Sequence, residues 1–164
     1  MTPIETLIEK QAIKELVDTF SNLADIKDVA AQGPLFTEDG HVTTYIGGEL
    51  FADLKNRAEI VDVFTDFLAN FKRVYHLNGQ LTIHLLSDNC AEGINYCHVV
   101  LTEEKDGKEI VHNHYVRYND TYVKEEGKWL IQRRIVNFMI SDRLLNLIHC
   151  IIKPNPIYLN KNKS

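Results

Sequence analysis

Residues 109–136, EIVHNHYVRYNDTYVKEEGKWLIQRRIV, decide the fold. Two runs rich in β-branched and aromatic residues flank Gly127, so the stretch reads as two strands joined by a tight turn. In the first run His112, His114, Val116, Tyr118 and Asp120 share one parity, and therefore one face of a sheet. In the second, Arg133 and Arg134 point to opposite faces. The same pattern continues outward. "CAEGINYCHVVLTEE" (90–104) lies between Ser87-Asp88-Asn89 and Asp106-Gly107, and "HLNGQLTIHLL" (76–86) precedes it. These are strands of roughly eight to twelve residues divided by turn signals. Beyond the last strand, 142–150 is expected to form a helix capped by Ser141 and ended before Pro154 and Pro156, with 159–164 as a frayed tail.

Upstream of His76 the period changes from two to 3.6. Leu7, Ile8, Ile13, Leu16, Val17, Phe20 and Leu23 recur three or four apart, which predicts a helix over 4–24 with one buried stripe. Thr2, Pro3 and Glu5 supply its cap, first-turn proline and capping-box acid. A second, irregular helix is expected over 29–36, kinked at Gly33-Pro34, and a third over 58–71. Between them a turn at Asp39-Gly40, a strand over 42–46 and a turn at Gly47-Gly48 are expected. Helices followed by an antiparallel meander define an α+β fold, with three N-terminal helices on the concave face of a strongly curved, mostly antiparallel sheet. No repeat or linker divides the 164 residues, so one domain is expected.

Composition removes several classes of function. A net charge of −5 and a pI near 5.8 give no footprint for nucleic acid or an anionic membrane. No window reaches the ~20 apolar residues of a membrane span, and the early Glu5 and Glu9 do not fit a secretory leader. Cys90, Cys97 and Cys150 lack CxxC spacing and sit in mostly apolar runs, pointing to buried thiols in a reducing compartment, with the cytoplasm as default.

Three local patterns resemble one family. "NLADIKDVAAQGPLFTEDG" resembles its opening, where the first helix ends near an Asp. "VYHLNGQLTI" resembles its strand that begins with a His, and "VRYNDTYVKEEGKWLIQRR" its Arg-Tyr-x-Asp strand, Gly turn, Trp strand and closing arginine. Spread over about 8–136, they resemble the SnoaL-like branch of the nuclear transport factor two-like superfamily. The resemblance implies a cone built around one small-molecule pocket, with no cofactor and commonly a homodimer. Large side chains on both faces of "INYCHVVL" agree with a covered outer sheet face.

In scytalone dehydratase-like and dehydrochlorinase-like relatives, the positions matching Asp25 and His76 form a dyad inside the cone. Imidazole titrates near 6.5 and is a usable base at neutral pH. A carboxylate on its other nitrogen fixes the tautomer and stabilises the imidazolium. The plainer alternative has Asp25 capping a helix junction and His76 half-buried against backbone. Arg134 matches the arginine thought to receive the leaving group in the dehydrochlorinase-like relative. It could equally form a structural bridge with Asp120. Tyr118 is expected to face the pocket, and His112 and His114 with it by parity. A metal site on those two histidines lacks a carboxylate partner at suitable spacing and is not expected; His84, His98 and His149 read as structural.

The chain departs from these relatives on the first helix. Ala24 stands where one carries a tyrosine, and Phe20 where the other carries a lysine. The base is kept and its polar partner on the helix is not; Tyr45, Tyr75, Tyr96 or Tyr118 could replace it. The expected function is a cofactor-independent lyase or isomerase acting on a small, hydrophobic, cyclic substrate. Its alternative is a non-catalytic binder of the same fold.

Overall fold

Thr2 starts the first helix as expected. In the computed structural model, which describes residues 1–145, its hydroxyl accepts from the Glu5 amide while the Glu5 carboxylate accepts from the Thr2 amide. This capping box opens α1 (Pro3–Asp25). α2 (Val29–Gln32) follows, capped by Asp28, and runs into a single tight turn over Gly33–Leu35. Pro34 ends the α-helical pattern there, so the expected helix over 29–36 is half its predicted length. α3 (Arg57–Ala69) is capped by the Asn56 side chain.

Six strands form one curved, unclosed sheet: β1 (Phe36–Ile46), β2 (Glu49–Leu54), β3 (Arg73–Leu85), β4 (Cys90–Lys105), β5 (Lys108–Glu125) and β6 (Lys128–Leu145). Their order is β2-β1-β6-β5-β4-β3, and only β1–β6 is parallel. β3 to β6 form the meander read from the sequence, with strands of 13 to 18 residues, longer than expected. The turn Glu126-Gly127 has both residues at positive φ, 48° and 80°, which matches the twist of the strands it joins.

Three expectations fail. Asp39-Gly40 is not a turn but lies within β1, where the pairing to β6 slips between Phe36 and His41. Gly40 is needed there, because a Cβ would lie 2.9 Å from the Thr37 carbonyl oxygen. β2, absent from the sequence reading, is a short, mostly exposed edge strand. The helix expected over 142–150 gives way at 142–145 to the continuation of β6, paired with the start of β5 from Asn113↔Asp142 to Ile110↔Leu145. A short helix cannot repay its nucleation cost when an open ladder lies beside it. Residues 146–150 and the expected frayed tail lie outside the described residues.

The helices cover one face of the sheet, α1 against β3 and α3 against β1. Ile13, Leu16, Val17, Phe20 and Ala24 of α1 are buried, but Leu7 and Ile8, expected in the same stripe, are exposed because the first turns of the helix run past the core. Phe20, Phe36 and Phe64 meet edge-to-face with centroids 5.9 to 6.4 Å apart, closing the deep end of the cone. Glu9 clamps α1 to the β5–β6 hairpin, accepting from Lys124 Nζ at 2.7 Å and Trp129 Nε1 at 2.6 Å. No helix among the described residues is long and apolar enough to cross a membrane.

Candidate functional site

Asp25 is the last residue of α1, and His76 stands on β3, the strand on which α1 packs. Asp25 Oδ1 lies 2.7 Å from His76 Nδ1. A carboxylate only accepts, so Nδ1 carries the proton and Nε2 keeps a lone pair in the neutral ring. The His76 side chain is 8% exposed. Nε2 has no hydrogen-bond partner among the described residues, and it is not among the fully buried polar atoms that lack one. This nitrogen is therefore shielded without being sealed.

The same face of the site carries a polar network that the sequence reading missed. Asn78, two residues beyond His76 on β3, donates to Asp18 Oδ1 at 3.2 Å and Ser21 Oγ at 2.9 Å. Asn95 of β4 donates to Asn78 Oδ1 at 3.0 Å. Asp18, Ser21 and Asp25 fall three and four apart, on one side of α1, so the network holds that side against β3 and fixes where Asp25 ends up. That helical spacing was legible; the asparagines that answer it were not. Cys97 forms the floor between the dyad and the deep end, 4% exposed, with its thiol pushed up to about 12 by burial.

Arg134 and Tyr118 occupy the deep end. The Arg134 guanidinium meets Asp120 through Nε (2.9 Å) and Nη2 (2.7 Å), and Tyr122 donates its hydroxyl to the same carboxylate at 2.9 Å. Phe20 and Tyr118 sandwich the guanidinium, with ring centroids 4.3 and 4.5 Å from its carbon. Burial opposes its charge, but Asp120 holds its pKa above the ordinary arginine value. This is the structural bridge weighed as the alternative, with one donor, Nη1, left buried and unpartnered. The departure at Phe20 has a physical role: it covers the ion pair. Ala24, 2% exposed, is core.

Other expected site residues separate by face. His114 shares the face of His76, because His76 pairs with Val99 and Val99 with His114. Its Nδ1 lies 2.9 Å from Ser141 Oγ, and the Phe138 ring meets it edge-on at 5.2 Å. Burial, and then the charge of His112, lowers its pKa. His112 stacks beside it at 6.2 Å and lies 3.0 Å from Glu103. Tyr96 and Tyr45 lie on the opposite, outer face, in one row through Tyr96↔Arg117↔Asn137↔Tyr45. Tyr75, adjacent to His76, also points outward, so of the four tyrosines only Tyr118 is near the dyad's side of the sheet. Surface cavities of about 470 and 400 Å³ lie elsewhere, one between α1 and β3 beside Leu7, Lys10 and His84, the other beside Glu5, Glu9 and Lys124. Neither is lined by Asp25 or His76, and it is their hydrogen bond that marks the candidate site.

A curved sheet with helices on its concave side, closed around a helix-end aspartate and a strand histidine, defines a nuclear transport factor two-like α+β protein. Residues 5–135 match the family described as the SnoaL-like domain, and the chain belongs to it. No curated protein sequence matches the chain. A scytalone dehydratase candidate from Novosphingobium aromaticivorans has a similar structure, with a TM-score of 0.74 and 22% identity over 84% of this chain and 88% of that one. The type 2 hexachlorocyclohexane dehydrochlorinase superposes with a TM-score of 0.74 at 15% identity, covering 89% of this chain and 95% of its own. A nuclear transport factor two-like protein with a cystatin-like fold, also from N. aromaticivorans, has a TM-score of 0.64 and 24% identity over 83% and 85% of the two chains.

Proposed function

We propose that this protein is a cofactor-independent lyase or isomerase that removes a carbon-bound proton from a small, hydrophobic, cyclic substrate. The observation that carries the reading is the 2.7 Å hydrogen bond between Asp25 and His76. His76 Nε2 takes the proton, and Asp25 holds the tautomer and offsets the imidazolium charge. The C–H electron pair then forms a double bond as a leaving group departs, or the proton returns at another carbon. The dehydratase candidate and the dehydrochlorinase among the similar structures support lyase chemistry. Arg134, paired with Asp120, backs the Tyr118 ring from the buried side and keeps one buried donor, Nη1, without a protein partner.

The test uses 2-tetralone in D2O, with exchange of its α-protons followed by NMR. Wild-type protein is expected to accelerate exchange, and His76→Ala to abolish the acceleration. A specific observation favours the alternative of a non-catalytic binder: Phe20 and Ala24 leave α1 without a polar group there beside the dyad. That reading predicts binding of the planar enol analogue 2-naphthol with no exchange of 2-tetralone.

Pairing through the outer sheet face is part of the same proposal. Tyr75, Leu77, Tyr115 and Ile140 project there and are 46 to 62% exposed, a large apolar area for a monomer to leave in water. A second copy of the chain is the proposed cover, and light scattering at micromolar concentration is expected to return a dimer mass. Cys90 and Cys97 are free thiols, which supports a reducing, cytoplasmic setting.

A further inference from the structure

We propose that His114 is a second catalytic group of this site, donating a hydrogen bond from Nε2 to the carbonyl oxygen of a cyclic ketone whose α-carbon faces His76. The proposal rests on His76 acting as the base. Relatives place the polar partner on the first helix, where this chain has Phe20 and Ala24. The sheet register supplies a replacement from the other side. His76, Val99, His114 and Ser141 stand directly opposite one another on β3, β4, β5 and β6. Two strand spacings separate the histidines, about 10 Å between backbones, with the Val99 side chain as an apolar floor. A ketone laid across that floor presents its oxygen to one imidazole and the hydrogen of the neighbouring α-carbon to the other.

His114 is held for such a role. Ser141 occupies its Nδ1, His112 stacks 5° from parallel, and the Phe138 edge closes a third side. His112 is itself anchored by Glu103. Nε2 of His114 has no partner among the described residues. When the Ser141 hydroxyl donates to Nδ1, the ring proton resides on Nε2. Burial and the neighbouring His112 favour the uncharged ring, which can donate to a developing oxyanion without giving up its proton. The balance is simple. The α-proton goes to His76, its electron pair becomes the enolate double bond, and the negative oxygen is held by His114 N–H until His76 returns the proton.

The experiment measures 2-naphthol binding and 2-tetralone exchange in wild type, His114→Ala and His114→Gln, with circular dichroism to confirm folding. Wild type is expected to bind 2-naphthol. His114→Ala should weaken binding by about 2- to 10-fold, the range for a lost hydrogen bond between neutral groups. It should slow exchange by about 100-fold or more. His114→Gln, which keeps an N–H donor, should recover part of both. Equal binding in His114→Ala and wild type, or no binding by wild type, overturns the assignment. His114-dependent binding without exchange in wild type overturns the base reading of His76 and leaves the donor standing.

Discussion

Asp25 Oδ1 and His76 Nδ1 meet at 2.7 Å across 51 positions of chain. The carboxylate sits at the C-terminal end of α1, where the helix dipole disfavours an anion and the last turn carries no basic residue. Asp25→Asn therefore removes an unfavourable charge, and the thermal midpoint is expected to hold or rise by a few degrees. Activity moves the other way. The amide presents a donor to Nδ1 and shifts the ring proton to Nε2, so exchange of 2-tetralone should fall by roughly 10²- to 10⁴-fold. A purely structural pair predicts the reverse pattern, a lower midpoint with no activity to lose.

The Asp120–Arg134 pair is sealed, with both side chains 1% exposed. Arg134→Met strands the Asp120 carboxylate and is expected to cost about 3–5 kcal/mol, read from urea denaturation. Adding Asp120→Leu should recover much of the loss, because the buried charge is then gone. A variant lacking Arg134 that keeps full stability would contradict the bridge seen here.

Burial pushes the Cys97 thiol up to about 12 from an ordinary value of 9.0. The folded state thus binds the proton more tightly than the unfolded chain. The associated stability is fully present below pH 9, and it is lost as pH rises from 9 toward 12. Cys97→Ala should flatten that part of the stability–pH curve. In wild type at pH 8, Ellman's reagent is expected to leave Cys97 untouched until urea unfolds the chain.

Glu126 holds φ at 48° in the β5–β6 turn, a region costly for a side chain with no local hydrogen bond to offer. Asparagine is favoured at this position. Glu126→Asn is expected to raise the thermal midpoint by about 1–3 °C, checked by calorimetry, with 2-tetralone exchange unchanged.

Much of the fold was legible because it is written locally. The capping box of Thr2 and Glu5, the apolar stripe of α1 from Ile13 onward and the Gly127 turn each involve residues within a few positions of one another. The readings at Asp39-Gly40 and at 142–145 failed for the opposite reason. Turn-forming and helix-forming residues there were overruled by ladders offered by β6 and β5, strands remote in sequence or across a turn. β2 was overlooked because a six-residue, mostly exposed edge strand leaves little alternation to read.

The site divides along the same line. Sequence alone determined that Asp25 ends a helix, that His76 lies in a strand, and that His114 and Tyr118 share a face. Strand parity is a property of the backbone and needs no partner. Only the tertiary structure decided that Asp25 reaches His76, that Arg134 is spent on Asp120, and that Tyr45 and Tyr96 turn outward. Register and helix docking are set by which distant faces bury one another, and a shift of one residue in a strand would have reversed every one of those outcomes.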